Sequence, residues 1–328
     1  SGPPQLDLSQ PDEVLVPLLH KACCEVGFFY ITNHGISKEV LDRALDESKV
    51  LFDLPLDVKE QWNAKNSPFF RGYTPFNEEI LDPKNQVTGD TKEGFYIGAE
   101  PKDGAEPGQF IGPNQWPSQE CLPGWEEFMR DYFQQCVDLG MRLLRLLGQA
   151  IALCADEPSQ QIPYDFTPHF TTPITLLRLL HYNAVYSKPS EGTFGCGAHT
   201  DYGMLTLLLT DDVPALQIYP RANNQDATIS EEQWMNVPPI PGAYIVNLGD
   251  MLQRWSNDRY KSTLHRVVNQ TNKERYSIPF FFEPNFDCVV KCLPCCVQNG
   301  EKPNYEPITS GQYLLGRYNE THGDYSGK

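Results

Sequence analysis

The chain is 328 residues long, with 40% hydrophobic and 12% aromatic residues, which supports a sizeable core and excludes a disordered chain. Its 43 acidic and 26 basic residues leave a formal charge of −17, so the basic footprint of a nucleic-acid binder is missing and the acidity reads as a solvated surface. No run reaches the ~18–20 apolar residues of a membrane span; the longest candidate, 140–155, is broken by Arg142, Arg145 and Gln149.

Ser9 ahead of Pro11-Asp12-Glu13 predicts an N-cap and a helix start. Val14, Leu15, Leu18, Leu19 and Ala22 keep a helical period up to Gly27. Phe28-Phe29-Tyr30-Ile31 reads as a short aromatic strand. Ser37 opens a second helix, and Pro55 a short third. Residues 63–120 are polar and rich in Pro, Gly and Asn, with one strand candidate at 91–97. A long helix follows over 125–153. From about Pro173, short β-prone runs alternate with turns, at Ile174–Tyr182, 204–210, 215–219, 243–248, 262–268 and 276–282. That spacing predicts an antiparallel sandwich or barrel, with the preceding helices bracing it.

Two of the seven histidines, His199 and His265, stand in β context near an aspartate. If 199–201 is extended, His199 and Asp201 project to one face and Thr200 to the other. Two imidazoles and a carboxylate make a facial set that leaves three coordination positions open, which suits iron(II) oxygenases. His-x-Asp alone is weak, since hydrogen-bonded core histidines are common. Arg275 and Ser277 share a strand face further on, and a guanidinium beside a hydroxyl fits the distal carboxylate of a keto acid that chelates the metal. A surface arginine on an edge strand is the alternative. Cys288, Cys292, Cys295 and Cys296 cluster in sequence. They lack a paired ligand set, so reduced thiols are expected rather than zinc or an iron–sulfur cluster. With no secretory signal at Ser1-Gly2-Pro3-Pro4, a reducing, cytoplasmic setting is the expectation.

Gly197-Ala198-His199-Thr200-Asp201-Tyr202-Gly203, Asn247-Leu248-Gly249-Asp250, Ser262-Thr263-Leu264-His265-Arg266-Val267 and Arg275-Tyr276-Ser277 come in this order. Together with Gly27-Phe28-Phe29-Tyr30-Ile31-Thr32-Asn33-His34-Gly35, they resemble the plant-type 2-oxoglutarate- and iron(II)-dependent dioxygenases, the family that includes isopenicillin N synthase. The resemblance covers nearly the whole chain. It implies a mainly β fold with flanking helices: a distorted double-stranded β-helix, jelly-roll-like, braced by N-terminal and long central helices. Residues 1–328 would be one catalytic domain. Within it, 1–160 are mostly helical, 170–290 form the β-helix core with the iron site, and 291–328 are a C-terminal extension.

The resemblance further implies iron ligands at His199, Asp201 and His265, and 2-oxoglutarate contacts at Arg275 and Ser277. The family's Asn-Tyr-Tyr-Pro segment falls on Leu180-His181-Tyr182-Asn183, which keeps one tyrosine and makes Tyr182 a third contact. Asn33-His34-Gly35 is a structural turn. Iron(II), 2-oxoglutarate and dioxygen, with ascorbate as reductant, would hydroxylate or desaturate a small organic molecule of specialised metabolism. The protein would be a monomer without nucleic-acid or membrane partners.

Alternation along Ile174–Tyr182 puts Arg178 on the face of Tyr182. A buried arginine needs an anion, either a substrate carboxylate or an acidic side chain of the chain. Phe280 and Phe282 are further pocket candidates, taken to continue the Arg275–Ser277 face provided Pro279 leaves the register unshifted. Two other readings stay open: an iron oxidase of the same fold that does not use 2-oxoglutarate, and a non-catalytic small-molecule binder.

Overall fold

A computed structural model of the chain describes residues 2–220, 229–297 and 300–322. Its first part contains β1 (Gln5–Asp7), α1 (Asp12–Glu25), β2 (Phe28–Thr32), α2 (Lys38–Phe52), α3 (Leu56–Glu60), β3 (Gly72–Thr74), β4 (Lys92–Gly98) and α4 (Trp125–Ala152). Then come β5 (Ile174–Tyr182), β6 (Cys196–His199), β7 (Leu205–Thr210), β8 (Leu216–Tyr219), β9 (Met235–Asn236), β10 (Tyr244–Leu248) and α5 (Asp250–Trp255). β11 (Leu264–Val267), β12 (Arg275–Glu283), β13 (Val289–Val290), β14 (Ile308–Thr309) and α6 (Ser310–His322) complete it.

Local chemistry accounts for the helix starts, with one correction. Ser37 caps α2 by accepting from the Val40 amide. Ser9 does not cap α1. Its hydroxyl and amide both turn to Asp7 Oδ1, at 2.7 and 2.9 Å, and Pro11 occupies the cap position. The buried face of α1 is Leu15, Leu19, Ala22 and Cys23, the i, i+4, i+7, i+8 series. Val14 and Leu18 lie on the flank and are exposed. Gly27, with φ +71°, makes the turn into β2 in a conformation that favours glycine.

Eight strands form one sheet in the order β1-β2-β10-β7-β12-β5-β4-β3, and four form a second, β6-β11-β8-β9. The large sheet is antiparallel except where β1 meets β2. Two such sheets with helices on the outside make the expected double-stranded β-helix. The β core is wider than residues 170–290, because β1 to β4 supply four of the large sheet's eight strands. The edges of β10 and β5 would otherwise present unpaired backbone groups, and the N-terminal strands satisfy them.

Helix α4 braces the outer face of the large sheet. Phe133 meets Phe280 edge-on, with ring centroids 5.5 Å apart, and Phe282 packs onto the bare Cα of Gly140. Fully buried, Phe280 and Phe282 each contribute about 1.5–3 kcal/mol by leaving water.

Candidate active site

His199 ends β6, and His265 lies directly opposite it on β11. Asp201 lies two residues beyond the end of β6, so strand alternation does not carry it to the site. The turn does. The Asp201 carbonyl accepts the Asp250 amide at the start of α5, at 2.8 Å. Its Oδ2 accepts from Thr206 on β7 at 2.5 Å and from Asn247 on β10 at 2.7 Å. The other oxygen, Oδ1, is thereby turned to both imidazoles, 3.6 Å from His199 Nε2 and 3.4 Å from His265 Nε2.

Each imidazole is oriented from behind. His199 Nδ1 lies 2.8 Å from the Gly197 carbonyl and His265 Nδ1 2.9 Å from the Thr263 carbonyl. Nδ1–H donation to those oxygens turns both Nε2 atoms towards Asp201, the arrangement in which outer partners orient metal-binding imidazoles. Ligand atoms of the three residues lie within 4.8 Å of one another, and they are the only such His/Cys/Asp/Glu group among the described residues. Burial alone would push Asp201 up; the two imidazoles outweigh it and hold the carboxyl well below the usual carboxylate range. Burial would lower His199, and Asp201 more than offsets this. The donor set suits a divalent metal with three open positions.

Tyr182 on β5 and Cys196 on β6 belong to one apolar cluster between the two sheets. Behind Tyr182 lies Arg275, paired with it across the β5–β12 ladder. The guanidinium sits over the Tyr182 ring, 5.1 Å from its centroid. Arg275 is 2% exposed, yet its Nε and Nη1 have no hydrogen-bond partner among the described residues. Two orphaned donors on a buried cation are costly unless an anion meets them. Ser277 is buried on the same strand face. Burial pushes the Tyr182 phenol up to about 12, so it keeps its proton as a donor at neutral pH. Arg275, Ser277 and Tyr182 together form a donor set suited to a carboxylate, and they are not in the wall of the cavity beside His199 and Asp201.

A cavity of about 880 Å³, mouth included, opens beside His199 and Asp201. Its wall carries Phe69, Phe70, Tyr96, Phe110, Tyr202 and Phe281, and α6 closes one side with Leu314 and Tyr318. Phe280 and Phe282 are not in that wall. They are wholly buried against α4. The β12 register is indeed unshifted through Pro279, and for that reason Phe281 and Glu283 share the parity of Arg275 and Ser277. The parity of residue numbers on β12 was the available signal for Phe281 and Glu283.

Arg178 does reach the cavity wall, but its anionic partner comes from the chain. Glu79 Oε2 lies 2.9 Å from the guanidinium and 2.8 Å from Lys92 Nζ. Lys92 also pairs with Asp90, which accepts from the Gly197 amide at 3.0 Å. This buried network ties the segment before β4 to the strand that carries His199. His181 points to the opposite face of β5, where Glu93 holds it at 2.7 Å, so this departure from the family pattern lies outside the cavity. His34 Nε2 lies 2.8 Å from the Gly242 carbonyl, a turn contact rather than a ligand position. Cys292 turns to the Arg254 carbonyl at 3.2 Å, while Cys295 and Cys296 face each other at 3.7 Å.

Glu283 is a residue that motif reading missed. Its carboxyl lies in the cavity wall and accepts the Met204 amide at 2.9 Å. Burial pushes it well above the usual range, and Asp201 and Asp250 add to this.

Two facing sheets with a His-x-Asp and a distant His at one end define a mononuclear non-haem metal oxygenase. Comparison with known proteins gives the family. The model of the N-terminal region of "non-haem dioxygenase in morphine synthesis" matches residues 4–119, and that of the 2OG-Fe(II) oxygenase superfamily matches 173–284. The chain is 37% identical to the 2-oxoglutarate-Fe(II) type oxidoreductase hxnY of Emericella nidulans, over 98% of this chain and 91% of that protein. It is 36% identical to azadirone synthase LFS of Melia azedarach, over 98% and 94%. The crystal structure of a full-length Neurospora crassa protein in complex with alpha-KG and thymine superposes with a TM-score of 0.78 at 30% identity, covering 96% of this chain and 95% of that one. The chain belongs to the 2-oxoglutarate- and iron(II)-dependent dioxygenase family. It is an oxidoreductase that uses iron(II), 2-oxoglutarate and dioxygen to oxidise a small organic molecule, releasing succinate and CO₂. No helix among the described residues is long and apolar enough to cross a membrane.

Proposed function

We propose that this chain hydroxylates or desaturates a small metabolite bound among aromatic side chains, with His199, Asp201 and His265 as iron(II) ligands and Arg275, Ser277 and Tyr182 as 2-oxoglutarate contacts. The observation that carries the assignment is the buried Arg275 guanidinium beside Tyr182, with two N–H groups that have no partner among the described residues. When bound, the metal and keto acid supply the oxidising chemistry, in which decarboxylation is coupled to removal of a hydrogen atom from substrate.

The chain's own part is orientation and exclusion of water. The Gly197 and Thr263 carbonyls hold the His199 and His265 rings from the Nδ1 side, so that both Nε2 atoms are aimed at the metal position. Thr206 and Asn247 hold one Asp201 oxygen and leave the other for the metal. Arg275 and Ser277 grip the far carboxylate of 2-oxoglutarate, and Tyr182 donates its phenolic proton to the same molecule. Phe281, with Tyr96 and Tyr202, lines the space for substrate in place of Phe280 and Phe282.

Residues 69–110 and α6 both reach the cavity, which supports one catalytic unit spanning 1–328. Ascorbate is the expected reductant for iron. The cysteines, free thiols throughout the described residues, fit a reducing compartment such as the cytoplasm. A monomer without nucleic-acid partners accords with the acidic charge. The test is succinate and CO₂ release from 2-oxoglutarate with iron(II), with and without a panel of aromatic and terpenoid metabolites. Oxygen consumption that needs no 2-oxoglutarate would favour the oxidase reading instead.

A further inference from the structure

Glu283 closes β12 on the face that carries Arg275, Ser277 and Phe281. It is only 6% exposed. One oxygen, Oε2, is fixed by the Met204 amide at 2.9 Å. It occupies a notch that exists only because residue 203 is glycine, since a Cβ there would collide with the carboxyl. The second oxygen, Oε1, has no hydrogen-bond partner among the described residues, and no lysine or arginine there pairs with this carboxyl. Other acids near this cavity face a partner: Glu79 meets Arg178 and Lys92, Asp90 meets Lys92, and Asp201 faces the two imidazoles.

A buried carboxyl with a single N–H donor and acidic neighbours is expensive to keep. This one is kept in the wall of the cavity that also holds His199 and Asp201. We infer that Glu283 recognises the substrate, accepting hydrogen bonds from a cationic nitrogen such as a protonated amine or guanidinium. The inference rests on the oxygenase reading only in calling the cavity's occupant the substrate. A cation there supplies both the missing countercharge and the missing donor. The Met204 bond fixes the carboxyl plane, so the free oxygen is presented in one orientation.

The test titrates n-butylguanidinium and n-butylurea, alike in size and planarity and unlike in charge, into the metal-loaded protein with 2-oxoglutarate. A protonated guanidinium has no free lone pair to ligate the metal, which keeps the reading on Glu283. Calorimetry gives dissociation constants for wild type and Glu283→Gln. Glutamine keeps an oxygen for the Met204 amide, and melting curves confirm that the variant folds. Wild type is expected to bind the guanidinium at least about tenfold tighter than the urea, as a charge-assisted hydrogen bond would give. The variant is expected to lose that preference. Equal binding of the two probes by wild type, binding of neither, or a preference that survives in Glu283→Gln overturns the inference. Titration of 2-oxoglutarate into metal-loaded wild type is read separately. Failure of that binding sinks the oxygenase reading, and the guanidinium comparison repeated without 2-oxoglutarate still decides on Glu283.

Discussion

His265 faces His199 directly across the β6–β11 ladder, with ring centroids 4.3 Å apart and Asp201 Oδ1 within 3.6 Å of both Nε2 atoms. With Asp201 they form the only group of three or more His, Cys, Asp or Glu residues placed to hold a metal among the described residues. His199→Ala and His265→Ala are therefore each expected to lose bound iron(II) and turnover. Metal analysis and succinate formation check this, and wild-type turnover in either variant would refute the ligand assignment.

Asn247 touches no metal, yet its amide holds Asp201 Oδ2 at 2.7 Å and so sets which oxygen faces the imidazoles. Partners of this kind typically contribute about 10–100-fold to metal affinity. Asn247→Ala should weaken iron(II) binding by about that factor while a melting curve shows a folded protein. An unchanged metal affinity would mean that Thr206 alone suffices.

Arg275→Ala removes the guanidinium whose Nε and Nη1 stand unpaired among the described residues. Loss of a buried charge-assisted contact costs about 2–5 kcal/mol, so the apparent constant for 2-oxoglutarate should rise more than about tenfold. Arg275→Lys should recover little of it, since an ammonium cannot reproduce the planar two-pronged grip. If the 2-oxoglutarate constant stays put in both variants, the keto acid binds elsewhere or is not used.

Arg178 shares Glu79 with Lys92 in a buried network. Breaking one arm of such a network leaves a buried charge unmatched, at about 3–5 kcal/mol. Arg178→Leu should thus lower the melting temperature and, with it, both substrate-coupled and substrate-free decarboxylation of 2-oxoglutarate. A variant that melts like wild type and loses only coupled turnover would restore Arg178 as a substrate anchor.

Strand identity was legible because it is local. The β-branched and aromatic runs between turns mark β5, β7, β10 and β12 to within a residue or so. The chemistry of His199, Asp201, His265, Arg275 and Ser277 could be read from residue type and order. Parity along β12 also held Phe281 and Glu283, since an unbroken ladder puts every second residue on one face. On that parity Phe280 and Phe282 fall on the other face, against α4.

What remained belongs to contacts between segments far apart in the chain, and to local competition that pattern does not rank. Ser9 looked like a cap until Asp7 competed for it. Asp201 looked like a strand neighbour of His199, but its carboxylate is aimed by Thr206, Asn247 and the start of α5. Arg178 needed an anion, and only the packing of the segment before β4 onto β5 and β6 decided that Glu79 supplies it. The cavity takes walls from residues 69–110 and from α6, neither of which carries a periodic signal toward the site. Local pattern determines which elements form and which face each residue takes. The partner of a buried charge is settled only when distant segments meet, because desolvation makes that charge unstable until one of them provides its match.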